Sequence, residues 1–248
     1  VPRVAYDHTI GERLPHSYLH PCVDYESLCP ACRTFGWVYQ PTEKDEDIPP
    51  DKTTAYAGRV RFSHASLTPD GDRGKLDDEM TLAILSSPKP TTTRFYLRPK
   101  QGQPRDGLDD DVVGYDGQNV LRGRKFYRHH GEADPQEYER VTVPGFDGKD
   151  DQNRTVRGVR RPGNRFRFHI DFENMMPVEL GALLWSLELR EDGVEGHHRL
   201  GYAKPLGLGS IKVRVVGLDR MRPERRYSSL DDDGWSDMMG QKERCINL

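Results

Sequence analysis

The spacing His16-x3-His20-x-Cys22-x6-Cys29-x2-Cys32 constrains this chain more than any other feature, because it gathers five soft or borderline metal ligands into one short stretch. Of the four cysteines only Cys245, near the C-terminus, lies outside it. Three clustered thiols cannot pair off among themselves, which disfavours a disulfide framework. Thiolate and imidazole are the donors Zn²⁺ prefers, and four of them close a tetrahedral structural site. The Cys29-Pro30-Ala31-Cys32 turn aims two sulfurs at one point, and Cys22 adds a third. A histidine completes the set, His20 being the nearer and His16 the reserve. The expected zinc ligands are therefore His20, Cys22, Cys29 and Cys32. Two plainer readings compete. One is a reduced cluster without metal; the other is a thioredoxin-like redox pair, which needs a strand-then-helix pattern that does not surround this motif.

Hydrophobic residues make up only 34% of the 248, against 24 glycines and 18 prolines, so much of the length reads as loop or polar surface. The net charge of −3 gives no global reason to expect nucleic acid. Its distribution is less neutral. Asp109–111 and Asp231–233 are acidic clusters, whereas Arg154, Arg157, Arg160, Arg161, Arg165 and Arg167 form a basic run with no acid inside it. No apolar run approaches the roughly twenty residues that span a bilayer, and no signal peptide opens the chain, so a cytoplasmic location is expected. A first residue that is valine reads as a piece of something longer.

Alternation marks a strand at 58–63, with Val60 and Phe62 on one face and Arg59 and Arg61 on the other. Further strands are expected at 80–85, 92–97, 120–130, 140–143, 166–172 and 211–216. Pro177 opens a helix expected to run to Leu189, with Leu180, Leu183, Leu184 and Leu187 on its apolar face. The organisation reads as a zinc-knuckle segment (1–40), strands with inserted polar loops (41–165), a strand–helix–glycine loop–strand half-domain (166–218) and a C-terminal extension or linker (219–248). That is an α+β chain with half of a split ferredoxin-like unit.

Two motifs carry chemistry after the cysteines. The loop Gly201-Tyr202-Ala203-Lys204-Pro205-Leu206-Gly207-Leu208-Gly209-Ser210 lets backbone amides approach a phosphate, and Lys204 adds a charge. It leads into a strand, so it is neither a dinucleotide fingerprint nor a Walker loop. A plain tight turn is the alternative. The segment Arg122-Gly123-Arg124-Lys125-Phe126-Tyr127-Arg128-His129-His130 interleaves cations, which neutralise phosphates, with rings that stack on unpaired bases. A solvated basic edge strand is its plainer reading. The candidate RNA contacts are Arg59, Arg61, Arg122, Arg124, Lys125, Tyr127, Lys204, Gly207, Gly209 and Ser210. The histidine pairs at 129–130 and 197–198 fail as metal sites, since neighbours on an extended chain point apart. No catalytic set closes.

Taken together, these pieces resemble the RAMP superfamily of CRISPR type III effectors. Leu28-Cys29-Pro30-Ala31-Cys32-Arg33-Thr34-Phe35-Gly36 is similar to the family's cysteine knuckle ending in Phe-Gly. Gly58-Arg59-Val60-Arg61-Phe62-Ser63-His64-Ala65 resembles its Gly-Arg-Val strand, with His64 where Asp is usual. Leu121 to Tyr127 is similar to its Gly-Arg-Lys segment, and residues 168–187 with the glycine loop resemble its terminal half-domain. The long inserted loops look most like the last backbone-type domain of the fused single-chain type III-E effector. The resemblance implies a ferredoxin-like (RRM-like) core, incomplete in its N-terminal half, that holds crRNA and recognises single-stranded target RNA. It also implies a prokaryotic cytoplasm, and a parent RNA-guided endoribonuclease whose other segments, with an accessory protein subunit, are partners. The family's target-cleaving aspartate lies early in such a domain and matches no residue here, so a binding role is expected. A metal-dependent hydrolase using Asp and His, or a zinc-stapled protein-interaction module, are the other classes.

Overall fold

The computed structural model describes residues 11–39, 54–76, 79–85, 93–99, 119–130, 154–191, 193–242 and 246. The strand expected at 140–143, the acidic cluster at 109–111 and Cys245 lie outside them. Among the described residues the fold is mixed helix and sheet, and every sheet is a two-stranded antiparallel pair. No described helix is long and apolar enough to cross a membrane.

Four of the eight pairs among the described residues, from Val60–Phe62 inward, are nested. Trp37–Val38 pairs with Ala55–Tyr56, and Val60–Phe62 with Ile170–Phe172, placing Phe62 opposite Ile170. Ser66–Leu67 then pairs with Phe166–Arg167, Lys75 bridges Arg160, and Glu79–Leu82 pairs with Arg154–Arg157. The chain thus runs out along 60–82 and returns along 154–172. Leu97–Pro99 on Asn119–Leu121 forms a further pair inside that excursion.

Several elements are shorter than their patterns suggest. The strand at 166–172 breaks in two because the His169 N–H donates to Ser63 Oγ (2.8 Å) while its carbonyl accepts from Ser63 N–H (3.0 Å). At 92–97 the structure has a helical turn, Thr93–Tyr96, and a strand begins only at Leu97. The strand expected at 120–130 ends at Leu121, and Gly123 follows at φ +119°, outside any strand geometry. Of 211–216, only Ile211 joins a ladder, through Ser210–Ile211 on His198–Arg199.

Helix Pro177–Leu187 forms as its sequence dictates, though it ends two residues early. Pro177 occupies the first turn, where no N–H is needed. Leu180 and Leu184 are buried against Leu218 and Met238, with Phe172 and Val215 at the edge. Leu218 and Met238 flank the hairpin formed by Asp219–Met221 and Trp235–Asp237, so the stretch read as an extension or linker packs into this core. A second core joins Met80, Leu82 and Ala83 to Ala203 and Leu206 of the glycine loop.

One buried ion pair ties the C-terminal segment down. Glu188, just past the helix, accepts from Lys242 Nζ (2.7 Å) and from the Val215 N–H (2.5 Å). Burial pushes its carboxyl up, but these two bonds and the nearby charges of Lys242 and Arg190 outweigh that and hold it below the usual glutamate range. A depressed carboxyl contributes stability that is present above its unfolded value of about 4.3 and is lost as pH falls through the folded value. Lys242→Ala is expected to cost about 3 kcal/mol at neutral pH, the usual penalty for stranding one buried charge. The gap should narrow in denaturant titrations below about pH 4. A constant gap across pH would remove Glu188 from the account.

Candidate functional site

The three clustered cysteines meet. Cys29 caps helix Pro30–Phe35, and its sulfur accepts from the Cys32 N–H at 3.5 Å. Cys22 Sγ accepts from the Cys29 N–H at 3.2 Å. All three sulfurs lie within 4.8 Å of one another, and among the described residues no other group could hold a metal ion. Amide bonds led by the Cys32 N–H hold the Cys29 thiol below its ordinary value. Burial and the two neighbouring sulfurs push Cys32 up to about 12. Three thiolates this close repel one another, and a bound cation removes the conflict. The donor set therefore suits a metal ion.

The histidines do not join it. Position 20 ends the 3-10 turn Ser17–Leu19, its N–H bonded to Ser17 O, and His20 is exposed outside the sulfur cluster. His16 stacks on Tyr18 with ring centroids 5.0 Å apart. Among the described residues the structure brings together three of the four expected ligands, Cys22, Cys29 and Cys32, and leaves His20 outside that cluster.

The knuckle is fastened to the body. Trp37 Nε1 donates to the Cys22 carbonyl at 2.7 Å. Gly36, at φ +96°, lies against Gly58, where an added Cβ would meet the Phe35 carbonyl oxygen at 2.8 Å, so only glycine fits this crossing. Arg59 then donates its N–H to the Thr34 carbonyl. Beneath, Glu179 at the start of helix Pro177–Leu187 accepts from the Met176 N–H (2.9 Å) and from Arg59 Nη1 (3.2 Å). Its Oε1 lies 2.8 Å from Arg33 Nη2, a charge contact without hydrogen-bond alignment. Arg59 also donates to Tyr56 Oη and the Asn174 carbonyl. It is therefore engaged inside the fold. Arg61 pairs with Glu173 at 3.0 Å in the open.

The other candidate contacts split. In the basic run, Arg157, Arg160 and Arg165 are neutralised by Glu79, Asp72 and Asp70 on the opposing arm. Arg122 donates Nε to the Leu97 carbonyl at 2.7 Å. The remaining residues, Arg124 apart, converge. His129, on the basic–aromatic segment, places Nδ1 2.9 Å from Ser210 Oγ, 81 positions away, and Nε2 3.2 Å from the His197 carbonyl. Because a carbonyl only accepts, Nε2 must carry a proton. Arg199 donates to the carbonyls of Gly207 (3.0 Å), Leu208 (2.9 Å) and Arg128, lashing both segments together. Gly209, at φ +78°, passes so close to the Leu200 carbonyl that no side chain fits. The Tyr127 ring then has two ammoniums over it, Lys125 at 5.0 Å and Lys204 at 5.9 Å. Among the described residues, neither lysine nor Arg124 has a carboxylate partner.

Three contributors were not foreseen in the sequence. His129 and Arg199 join the segments, and Phe95 sits 5.9 Å from the Lys125 ammonium. His129 lies in the basic–aromatic segment but its partner Ser210 is 81 positions away, and no local pattern marks Arg199 or Phe95. A comparison with protein-family models found no match, and a comparison with curated proteins found none either.

Proposed function

We propose that this chain is a non-catalytic RNA-holding module of RAMP type, a crRNA-binding segment of an RNA-guided type III effector, with a structural zinc in its cysteine knuckle. The observation that carries this reading is the convergence of residues 124–129 with the glycine loop. Two segments each suited to a phosphate backbone become one surface with two cations, Lys125 and Lys204, that no carboxylate among the described residues pairs, in a chain whose net charge is −3. Such contacts read phosphate and shape, and guide pairing supplies sequence. The antiparallel Val60–Phe62 and Ile170–Phe172 pair, followed by helix Pro177–Leu187, supports a ferredoxin-like core completed by the parent chain. Cys22, Cys29 and Cys32 would hold the zinc, which would supply structural closure of the knuckle and no reaction chemistry.

The test is a salt titration of binding to a guide-length single-stranded RNA. Lys204 also donates to the Gly201 carbonyl, so Lys204→Gln preserves a donor while removing the charge. Affinity is expected to fall and the slope of log affinity against log salt to become shallower by about 0.7, one phosphate contact on a single strand. Binding that ignores salt, or no binding by the full chain, overturns the reading.

A further inference from the structure

Phe95, Lys125, Tyr127 and Lys204 form an alternating row of rings and ammoniums drawn from three distant parts of the chain. Successive ring-to-nitrogen distances are 5.9, 5.0 and 5.9 Å. Phe95 packs edge-on against Tyr96, 5.0 Å between centroids, yet remains 55% exposed. A scattered exposed phenylalanine needs no explanation. This one differs because the fold places it beside cations that no described carboxylate neutralises, whereas Arg157, Arg160 and Arg165 are each paired. An apolar ring flanked by free positive charge suits a ligand that is flat and apolar in one part and anionic in the next. A nucleotide with its base unstacked has that chemistry.

We propose that Phe95 is a base-stacking residue of this surface, so that the surface prefers single strands with unpaired bases to duplex. The inference rests on the RNA-holding reading above and assigns to one residue the reading of unpaired bases within it. Phosphates are presented by duplex and single strand alike, so the lysines alone do not discriminate between them. Bases in an A-form duplex are stacked on one another and offer no free face to a ring. Discrimination must therefore come from the aromatic element, and Phe95 is the exposed ring that the row itself contains.

The experiment compares three probes against the full chain across a salt series: single-stranded oligouridylate, an abasic ribose-phosphate strand of equal length, and an RNA duplex of equal length. Phe95→Ala is expected to weaken oligouridylate binding roughly 5- to 150-fold, the range that stacking on one base supplies, with an unchanged salt slope. Binding to the abasic strand should not move. Phe95→Trp, which keeps a ring, should retain affinity, while Phe95→Leu, which keeps only apolar bulk, should behave like alanine. Trp185→Ala removes a comparably exposed ring on helix Pro177–Leu187 and is expected to change nothing. If the unaltered protein binds abasic strand or duplex as tightly as oligouridylate, or Phe95→Ala leaves oligouridylate binding intact, base stacking at Phe95 is overturned and the phosphate-holding reading survives. If the unaltered protein binds none of the three, both fall together.

Discussion

Replacing Cys29 with serine is expected to abolish the zinc binding proposed for the knuckle and to lower the melting temperature as far as chelation lowers that of the unaltered chain. Cys29 is the middle of the sulfur chain: its N–H donates to Cys22 Sγ and its own sulfur accepts from the Cys32 N–H. Serine keeps a helix cap but replaces a thiolate with a poor zinc ligand, leaving two sulfurs. Structural zinc sites contribute on the order of 10 kcal/mol of apparent binding free energy, which is also folding free energy for the segment they close. The loss should propagate, since Arg33 follows Cys32 directly and reaches Glu179. Elemental analysis and a thermal melt, each with and without chelator, check this. Zinc retained at full stoichiometry by Cys29→Ser, or a chelator-insensitive melt of the unaltered protein, would refute the centre.

The second large effect is expected at Glu179. This carboxylate is 7% exposed and serves three donors or charges at once: the Met176 N–H, Arg59 and Arg33. Glu179→Ala removes the charge partner of Arg33 and Arg59 and the cap from the helix start. The expected loss is about 2–3 kcal/mol, a charge-assisted hydrogen bond and a helix cap lost together. Glu179→Gln keeps an acceptor for Met176 and should lose less. A buried pair is poorly screened, so the difference from the unaltered protein should persist at about 0.5 M salt. Denaturant unfolding at two salt concentrations measures it, with an unchanged m-value showing that stability alone moved. A loss below about 0.5 kcal/mol for the alanine variant would mean the two arginines find water instead.

The two arginines of the Gly-Arg-Val-Arg stretch show how far alternation can be trusted. It placed Arg59 and Arg61 together on the polar face of a strand, and the strand at Val60–Phe62 does form. Alternation says which side a residue faces, not what waits there. Arg59 meets the start of a helix 120 positions later, and Arg61 meets an exposed glutamate. The basic run at 154–167 follows the same logic: half its charge is met by acids on the opposing arm, which the run's own residues could not disclose.

What the sequence determined by itself is local. Cys29-x2-Cys32 closes one turn, Pro177 and the leucine spacing make one helix, and the glycines at 207 and 209 turn left-handed because no other residue does so cheaply. Each rests on bonds within a few residues, whose geometry composition alone dictates. What the tertiary structure decided is every meeting across the chain: the Trp37 indole on the Cys22 carbonyl, Leu218 and Met238 in the helix core, and Phe95 and Lys204 at opposite ends of one cationic row. Strands of two to four residues carry too few alternations to specify a partner, so register and neighbours are settled only when the whole body packs.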